Sequence, residues 1–222
     1  MLTLYGNPVS NYYNTVLAVL YCKKVPFREV HLSAAADEDF LRKSPMGKIP
    51  FIEHDGICLS ETTVILDYLE NLFPAPSLNP GDPVRRARVW QLIKFVELYI
   101  DIPARRLFPG VFWFGSNHPL HVEEVLPLVE RGLGAFDRVI LDAPYLMGEA
   151  VTLADFYSYF SLHIVRQVML KQYGLDILAD RPRLEAAFAR LEQLPFMAVI
   201  TAQRDRVMAD YLRRKAAEGG TA

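Results

Sequence analysis

Three short stretches within the first 65 residues hold side chains whose types and spacing can do chemistry together. Ser10 follows the apolar run Leu2-Thr3-Leu4-Tyr5 and the break Gly6-Asn7-Pro8, and stands where the first helical stripe opens. A serine there caps a helix, its oxygen satisfying an orphan backbone N–H. At the positive end of that helix the same hydroxyl can instead donate to a thiolate, which the helix dipole also favours. The two roles need not exclude each other, though one hydroxyl hydrogen cannot serve both. Pro45-Met46-Gly47-Lys48-Ile49-Pro50 reads as a turn into a strand. A cis bond before Pro50, as in about 5% of X–Pro bonds, would turn the Ile49 N–H and C=O outward to pair with a peptide as a strand would. Ser60-Glu61-Thr62-Thr63-Val64-Ile65 opens another helix. Glu61 and Thr62 fit ordinary first-turn and capping positions. Free N–H groups plus a hydroxyl at a helix start also bind a carboxylate, with Glu61 beside them to receive an ammonium. The α-carboxylate and α-amine of one amino acid suit that pair.

The elements that must position these residues follow from periodicity. Leu2 to Tyr5 is a short strand, and Val16, Leu17, Val19 and Leu20 form a helical stripe over 11–23. Phe27 to Leu32 alternates as a half-buried strand, and a short helix over Glu38 to Lys43 stops before Pro45. Pro50 to His54 and Ile57 to Leu59 flank Asp55-Gly56, the signature of a hairpin. Val64, Ile65, Tyr68, Leu69 and Leu72 return to helical spacing. The order βαβ, helix, ββ, helix predicts a small mixed sheet with helices on its faces. Four prolines in the eleven residues 73–83 make a linker. Beyond it only helical periodicity remains. Trp90 to Ile102 is apolar on nearly every face and is expected to be a buried central helix. Val125 to Ile140, Leu153 to Leu170, and Pro182 to Leu194 are the further helices, and the tail 216–222 is expected to fray. The expected domains are 1–76, a linker 77–83, and an all-helical 84–222.

Composition narrows the function classes. Of 222 residues, 51% are hydrophobic and 23% charged, a balance suited to a globular chain with a sizeable core. With 24 basic and 26 acidic side chains, no global field favours nucleic acid or an anionic membrane. The clusters Arg85, Arg86, Arg88 and Arg213, Arg214, Lys215 read as local solvated faces. No stretch reaches the roughly 20 apolar residues of a membrane span, and the N-terminus lacks the pattern of a secretory signal. Cytoplasm is the expected location. Cys22 and Cys58 form no CxxC pattern, so neither a disulfide framework nor a metal site is expected. Cys22 reads as a small buried apolar residue and not a nucleophile.

Taken in order, Leu4-Tyr5-Gly6 with Ser10, Ser44-Pro45-Met46-Gly47-Lys48-Ile49-Pro50, and Leu59-Ser60-Glu61-Thr62-Thr63-Val64-Ile65 resemble the cytosolic glutathione transferase family, of serine- or cysteine-type and bacterial-like. Thr62 replaces the family's usual serine and keeps the hydroxyl. Gly148 to Asp155 is similar to the capping box that opens the family's central helix, and Pro182-Arg183-Leu184 with Arg190-Leu191 and Pro195 to its penultimate helix. The resemblance covers nearly the whole chain. It implies an α/β thioredoxin-like N-terminal domain followed by an all-α helical bundle, with a cis proline at Pro50. It implies an enzyme with glutathione as co-substrate and no metal. The γ-glutamyl end falls to Glu61 and Thr62, the cysteinyl backbone to Ile49 beside Pro50, the glycine carboxylate to Lys48, and the sulfur to Ser10. Tyr5 stands where tyrosine-type members keep their activating hydroxyl and is the runner-up. Asn11 is another, and would tilt the protein toward disulfide or peroxide reduction. Val9, Tyr12, Tyr99, Arg105, Arg106 and Phe108 are the candidates for an electrophile site. A homodimer and a role in detoxification follow from the same resemblance, with no nucleic-acid or membrane partner. The competing reading is a regulatory protein of the same fold, similar to the stringent starvation proteins, that meets a larger partner such as the transcription machinery.

Overall fold

A computed structural model describes residues 1–113 and 115–219, with side chains through Arg213. Of the tail expected to fray, 216–219 are helical, and its end, like the side chains of Arg214 and Lys215, lies outside those described. The chain divides into two compact units, Met1–Pro76 with Glu192–Ala222, and Ser77–Leu191.

The first unit carries the sheet. Strands β1 (Leu2–Gly6), β2 (Phe27–His31), β3 (Phe51–His54) and β4 (Ile57–Ser60) lie in the order β2-β1-β3-β4. β1 runs parallel to β2 and antiparallel to β3, and β3 antiparallel to β4. The parallel pair requires a crossover, supplied by α1 (Asn11–Cys22). The antiparallel pair needs only the Asp55-Gly56 turn, where both residues take positive φ (49° and 81°). Leu2 and Leu4 point into the core with Val16, Leu17, Val19 and Leu20 of α1, all at most 2% exposed. α3 (Thr62–Leu72) buries Ile65, Leu66 and Leu69 and packs against α1. α2 (Glu38–Lys43) begins on the Asp37 cap, whose side chain accepts from Phe40 N–H, and packs near β4. α10 (Pro195–Gly219) groups with this unit, packing on α1, with Tyr21 stacked on Phe196 at 6.2 Å.

The second unit is helical: α4 (Pro83–Lys94), α5 (Ile102–Arg105), α6 (Phe108–Phe112), α7 (Pro119–Asp137), α8 (Leu153–Tyr173) and α9 (Pro182–Glu192). α8 is buried along most of its length, and Asp155 at its start accepts from the Thr152 N–H, the Thr152 hydroxyl and the Leu146 N–H at 2.7, 2.7 and 2.8 Å. Burial pushes the Asp155 carboxyl above its ordinary range, against those three donors.

The expected buried helix over Trp90 to Ile102 is corrected. α4 gives way to a π-helical stretch, Phe95–Asp101, before α5. Val89, Leu92, Ile93, Val96 and Ile100 are buried, but Leu98, Tyr99 and Ile102 are 45, 55 and 47% exposed. Apolar side chains on nearly every face do not by themselves bury a helix, and this one, with π bonds at i→i+5 along part of its length, keeps one face outward.

Candidate active site

Ser10 is the N-cap of α1, and its Oγ accepts from the Tyr13 N–H at 3.3 Å. Capping and thiolate donation are therefore compatible at this oxygen. Capping uses an oxygen lone pair and leaves the hydroxyl hydrogen available to donate. The loop that carries Ser10 is braced from both sides. Asn7 Oδ1 accepts from the Val9 N–H at 3.1 Å, Ser10 N–H donates to the Asn7 carbonyl at 2.9 Å, and Asn14 Nδ2 donates to the Pro8 carbonyl at 2.8 Å. Asn7 escapes a reading of the sequence because an asparagine before a proline looks like a turn former, and Asn14 because its place in a helix does not disclose the bond it makes back to Pro8. Asn11 lies buried in the first turn of α1, its carbonyl accepting from Thr15 Oγ1 at 2.9 Å.

Tyr5 is engaged by other side chains of its unit. Its ring stacks on Phe51 at 4.5 Å, its hydroxyl donates to Glu53 Oε2 at 3.0 Å, and Lys43 Nζ lies 5.3 Å over its face. Burial, and then the bond to Glu53, hold its phenol above the ordinary value. A raised phenol whose proton is committed to a carboxylate is poorly placed to stabilise an anion. Cys22 and Cys58 are both held as thiols, with burial the leading cause in each.

The Pro45–Pro50 segment depends on Gly47. With φ +65° it lies in the left-handed region, and a Cβ there would stand 2.5 Å from the Ala35 carbonyl oxygen. Ser44 Oγ donates to the Lys48 carbonyl at 2.7 Å and closes the loop. The Ile49–Pro50 bond is cis. Among the described residues neither the N–H nor the C=O of Ile49 has a hydrogen-bond partner. The Lys48 side chain is exposed.

The start of α3 differs from those of α1, α2, α4, α7 and α8, and shares the lack of a side-chain cap with the short α5 and α6. α1, α2, α4 and α7 each have a side chain accepting from a first-turn N–H, and Asp155 completes a capping box on α8. At α3 the cap position is Glu61, with φ +70° and ψ 117°, and no side chain accepts from the first turn. A non-glycine residue held there costs about 1–3 kcal/mol. Thr62, the first residue of the helix, is 8% exposed. The result is a set of uncapped N–H donors with a buried hydroxyl and an exposed carboxylate beside them, a geometry for one carboxylate and one ammonium.

The remaining candidates divide between the units. Val9 and Tyr12 are half-buried in the first. In the second, Tyr99 is exposed, Arg105 Nε donates to Asp101 Oδ2 at 2.9 Å, Arg106 donates to Glu124 at 2.6 Å, and Phe108 is buried. Among the described residues no group of three or more His, Cys, Asp or Glu stands where it could hold a metal ion, and no helix is long and apolar enough to cross a membrane.

This arrangement is matched in known proteins. Residues 4–77 match the family model of the glutathione S-transferase N-terminal domain, and residues 112–195 that of the C-terminal domain. A glutathione S-transferase of Pseudomonas putida is 38% identical over 212 residues, 96% of each chain. Human elongation factor 1-gamma is 35% identical over 119 residues, 53% of this chain and 26% of that one. In structure, glutathione transferase E6 of Drosophila melanogaster superposes with a TM-score of 0.79 at 23% identity, over 96% of this chain and 97% of the other, a likeness of fold. With a thioredoxin-like sheet unit, a helical unit and both family domains in place, the chain belongs to the glutathione S-transferase family.

Proposed function

We propose that the protein binds glutathione on its first unit and uses the Ser10 hydroxyl to hold the thiol as thiolate for attack on a small electrophile. The observation that carries this reading is the uncapped start of α3 behind the strained Glu61. Strain of that kind persists where the surroundings impose it, and here it leaves donors open at a helix N-terminus. Thr62 and the α3 N–H groups take the γ-glutamyl carboxylate, and Glu61 its ammonium. The Ile49 backbone pairs with the cysteinyl residue beside Pro50, and Lys48 meets the glycine carboxylate. The sulfur then falls to Ser10, at the positive end of α1.

Chemistry at that sulfur needs modest help. Lowering a thiol pKa by about 2 units corresponds to roughly 2.7 kcal/mol. A hydrogen bond to a charged acceptor supplies about 1.5–3 kcal/mol, and the α1 dipole adds to it. The thiol proton leaves to solvent. The sulfur lone pair forms a bond to the electrophilic carbon, and the leaving group departs with its bonding electrons. Ser10 keeps its own proton throughout, donating a hydrogen bond without transferring it. Conjugation is the leading reaction type, with isomerisation or reduction on the same thiolate as variants, and detoxification the role that suits it. The same reading places domain boundaries at 76 and 84, a cytoplasmic location, and a homodimer through α3 and the helix that begins at Pro83. Each of those leaves apolar side chains exposed, Val64 at 49% and Val84 at 67%.

Retention on immobilised glutathione, with elution by free glutathione, tests the binding step. A protein that passes through and shows no binding at millimolar ligand removes the enzyme reading. The partial match to elongation factor 1-gamma would then favour a second one, in which the fold serves as an interaction module.

A further inference from the structure

The segment between α5 and α7 gathers three aromatic rings and two cations within the second unit. Phe108 meets Phe112 edge-on at 5.0 Å and Trp113 at 6.0 Å. The Arg105 guanidinium lies 5.0 Å over the Phe108 ring, and Lys171 Nζ, from α8, lies 5.3 Å over that of Phe112. Arg105 is not free to wander. Its Nε donates at 2.9 Å to Asp101, whose side chain is fully buried, so the cation is set in place by a carboxylate that solvent does not reach. The segment itself is pinned as well. Asn117 Oδ1 accepts from the Gly110 N–H at 2.9 Å, and Asn117 Nδ2 donates to Gln172 Oε1 at 2.8 Å, next in sequence to Lys171. Trp113 remains 60% exposed although its neighbours hold the backbone, and Lys171 has no ion-pair partner among the described residues.

An exposed indole on a fixed aromatic shelf offers a flat apolar face to a ring. Two cations held over that shelf offer a complementary charge, and Asp101, the acid in direct contact with the cluster, is already engaged by Arg105. We propose that this shelf binds a planar organic anion, an aromatic ring bearing a carboxylate, and so sets the class of the second substrate. Flat stacking selects the ring, and Arg105 with Lys171 selects the negative group over a neutral isostere. The inference rests on the proposed transferase reading for its catalytic meaning, but the binding it asserts does not need glutathione.

The experiment therefore leaves glutathione out. In a Trp90→Phe background Trp113 is the sole tryptophan, and its fluorescence is followed on adding 3,5-dinitrobenzoate or the neutral 3,5-dinitrobenzamide. Saturable quenching with at least ten-fold tighter binding of the carboxylate is expected. Lys171→Met, an exposed change, should narrow that gap several-fold, and Arg105→Met should close it while leaving the amide unchanged. Arg105→Lys should restore part of it. Equal affinities for the two probes, or a gap that survives both methionine variants, overturns the proposal. Failure on the glutathione resin with the gap intact would instead sink the transferase reading alone.

Discussion

Replacing Ser10 separates two functions that one oxygen performs at once. Ser10→Ala removes both the acceptor that caps α1 and the donor proposed for the thiolate. The cap bond is long, 3.3 Å, so its loss belongs at the low end of the usual range, about 0.5–1 kcal/mol. In a chain of this size that lowers Tm by about 1–4 °C. Loss of a charge-assisted donor, about 1.5–3 kcal/mol, raises the bound thiol pKa by roughly 1–2 units and lowers turnover at neutral pH about ten-fold or more. Ser10→Asp distinguishes the two effects. An aspartate keeps the capping acceptor and adds a charge that the α1 dipole favours, yet at neutral pH it has no proton to donate and repels the sulfur anion. It should melt at or above the wild-type temperature while its bound thiol titrates at least as high as in the alanine variant. The assay is ultraviolet difference absorbance of the bound thiolate across pH, alongside thermal melts. A low thiol pKa retained in the aspartate variant would refute the donor role. Unchanged activity in Ser10→Ala, with loss in Asn11→Ala, would move the role to Asn11.

Glu61→Gly should raise stability by up to about 1 kcal/mol, because glycine adopts φ +70° without the side-chain cost, and should weaken glutathione binding, seen by thermal melt and calorimetric titration. A variant that binds glutathione as tightly as wild type would show that the Glu61 carboxylate does not meet the ammonium. Gly47→Ala should destabilise by more than about 1 kcal/mol, since strain at φ +65° adds to the 2.5 Å approach of the Ala35 carbonyl, with poorer resin retention from the displaced Ile49 loop. Wild-type melting would contradict that geometry. Arg166 donates to both oxygens of Asp176, at 2.7 and 2.5 Å, and holds its carboxyl below the ordinary range. A lowered folded-state pKa contributes stability above the unfolded value, near pH 4, that is lost as pH falls through the folded one. The pair is partly exposed, so about 1 kcal/mol is expected. Asp176→Asn should lose that much at neutral pH and flatten the acid side of a Tm–pH profile, and parallel profiles would count against the pair.

What the sequence discloses and what it hides follow from range. The Ser10 cap and the Asp55-Gly56 turn are legible because each acts on its own few residues. Local steric rules bind them wherever the chain goes. Tyr5 is the opposite case. Whether its hydroxyl faces a ligand or a carboxylate depends on Glu53, 48 positions away and brought near only by the pairing of β1 with β3. Periodicity places both residues on strands, but it does not bring Lys43 over the ring. Glu61 lies between these cases. Its identity suits an ordinary first-turn acid, and no local signal tells a capped start from an uncapped one with positive φ. That backbone is imposed from both sides, by the Phe51–Ser60 pairing that ends β4 and by burial of Ile65 and Leu66, which fixes where α3 must begin. The residue at the junction absorbs the mismatch, and the open donors are its consequence. The same logic explains the helix after Pro83, where a π turn reorients Leu98, Tyr99 and Ile102 without any mark in composition. The most informative positions for function are thus those where local preference and tertiary constraint disagree. Glu61 is the clearest of them, since relieving its strain should stabilise the fold while weakening the binding that the strain makes room for.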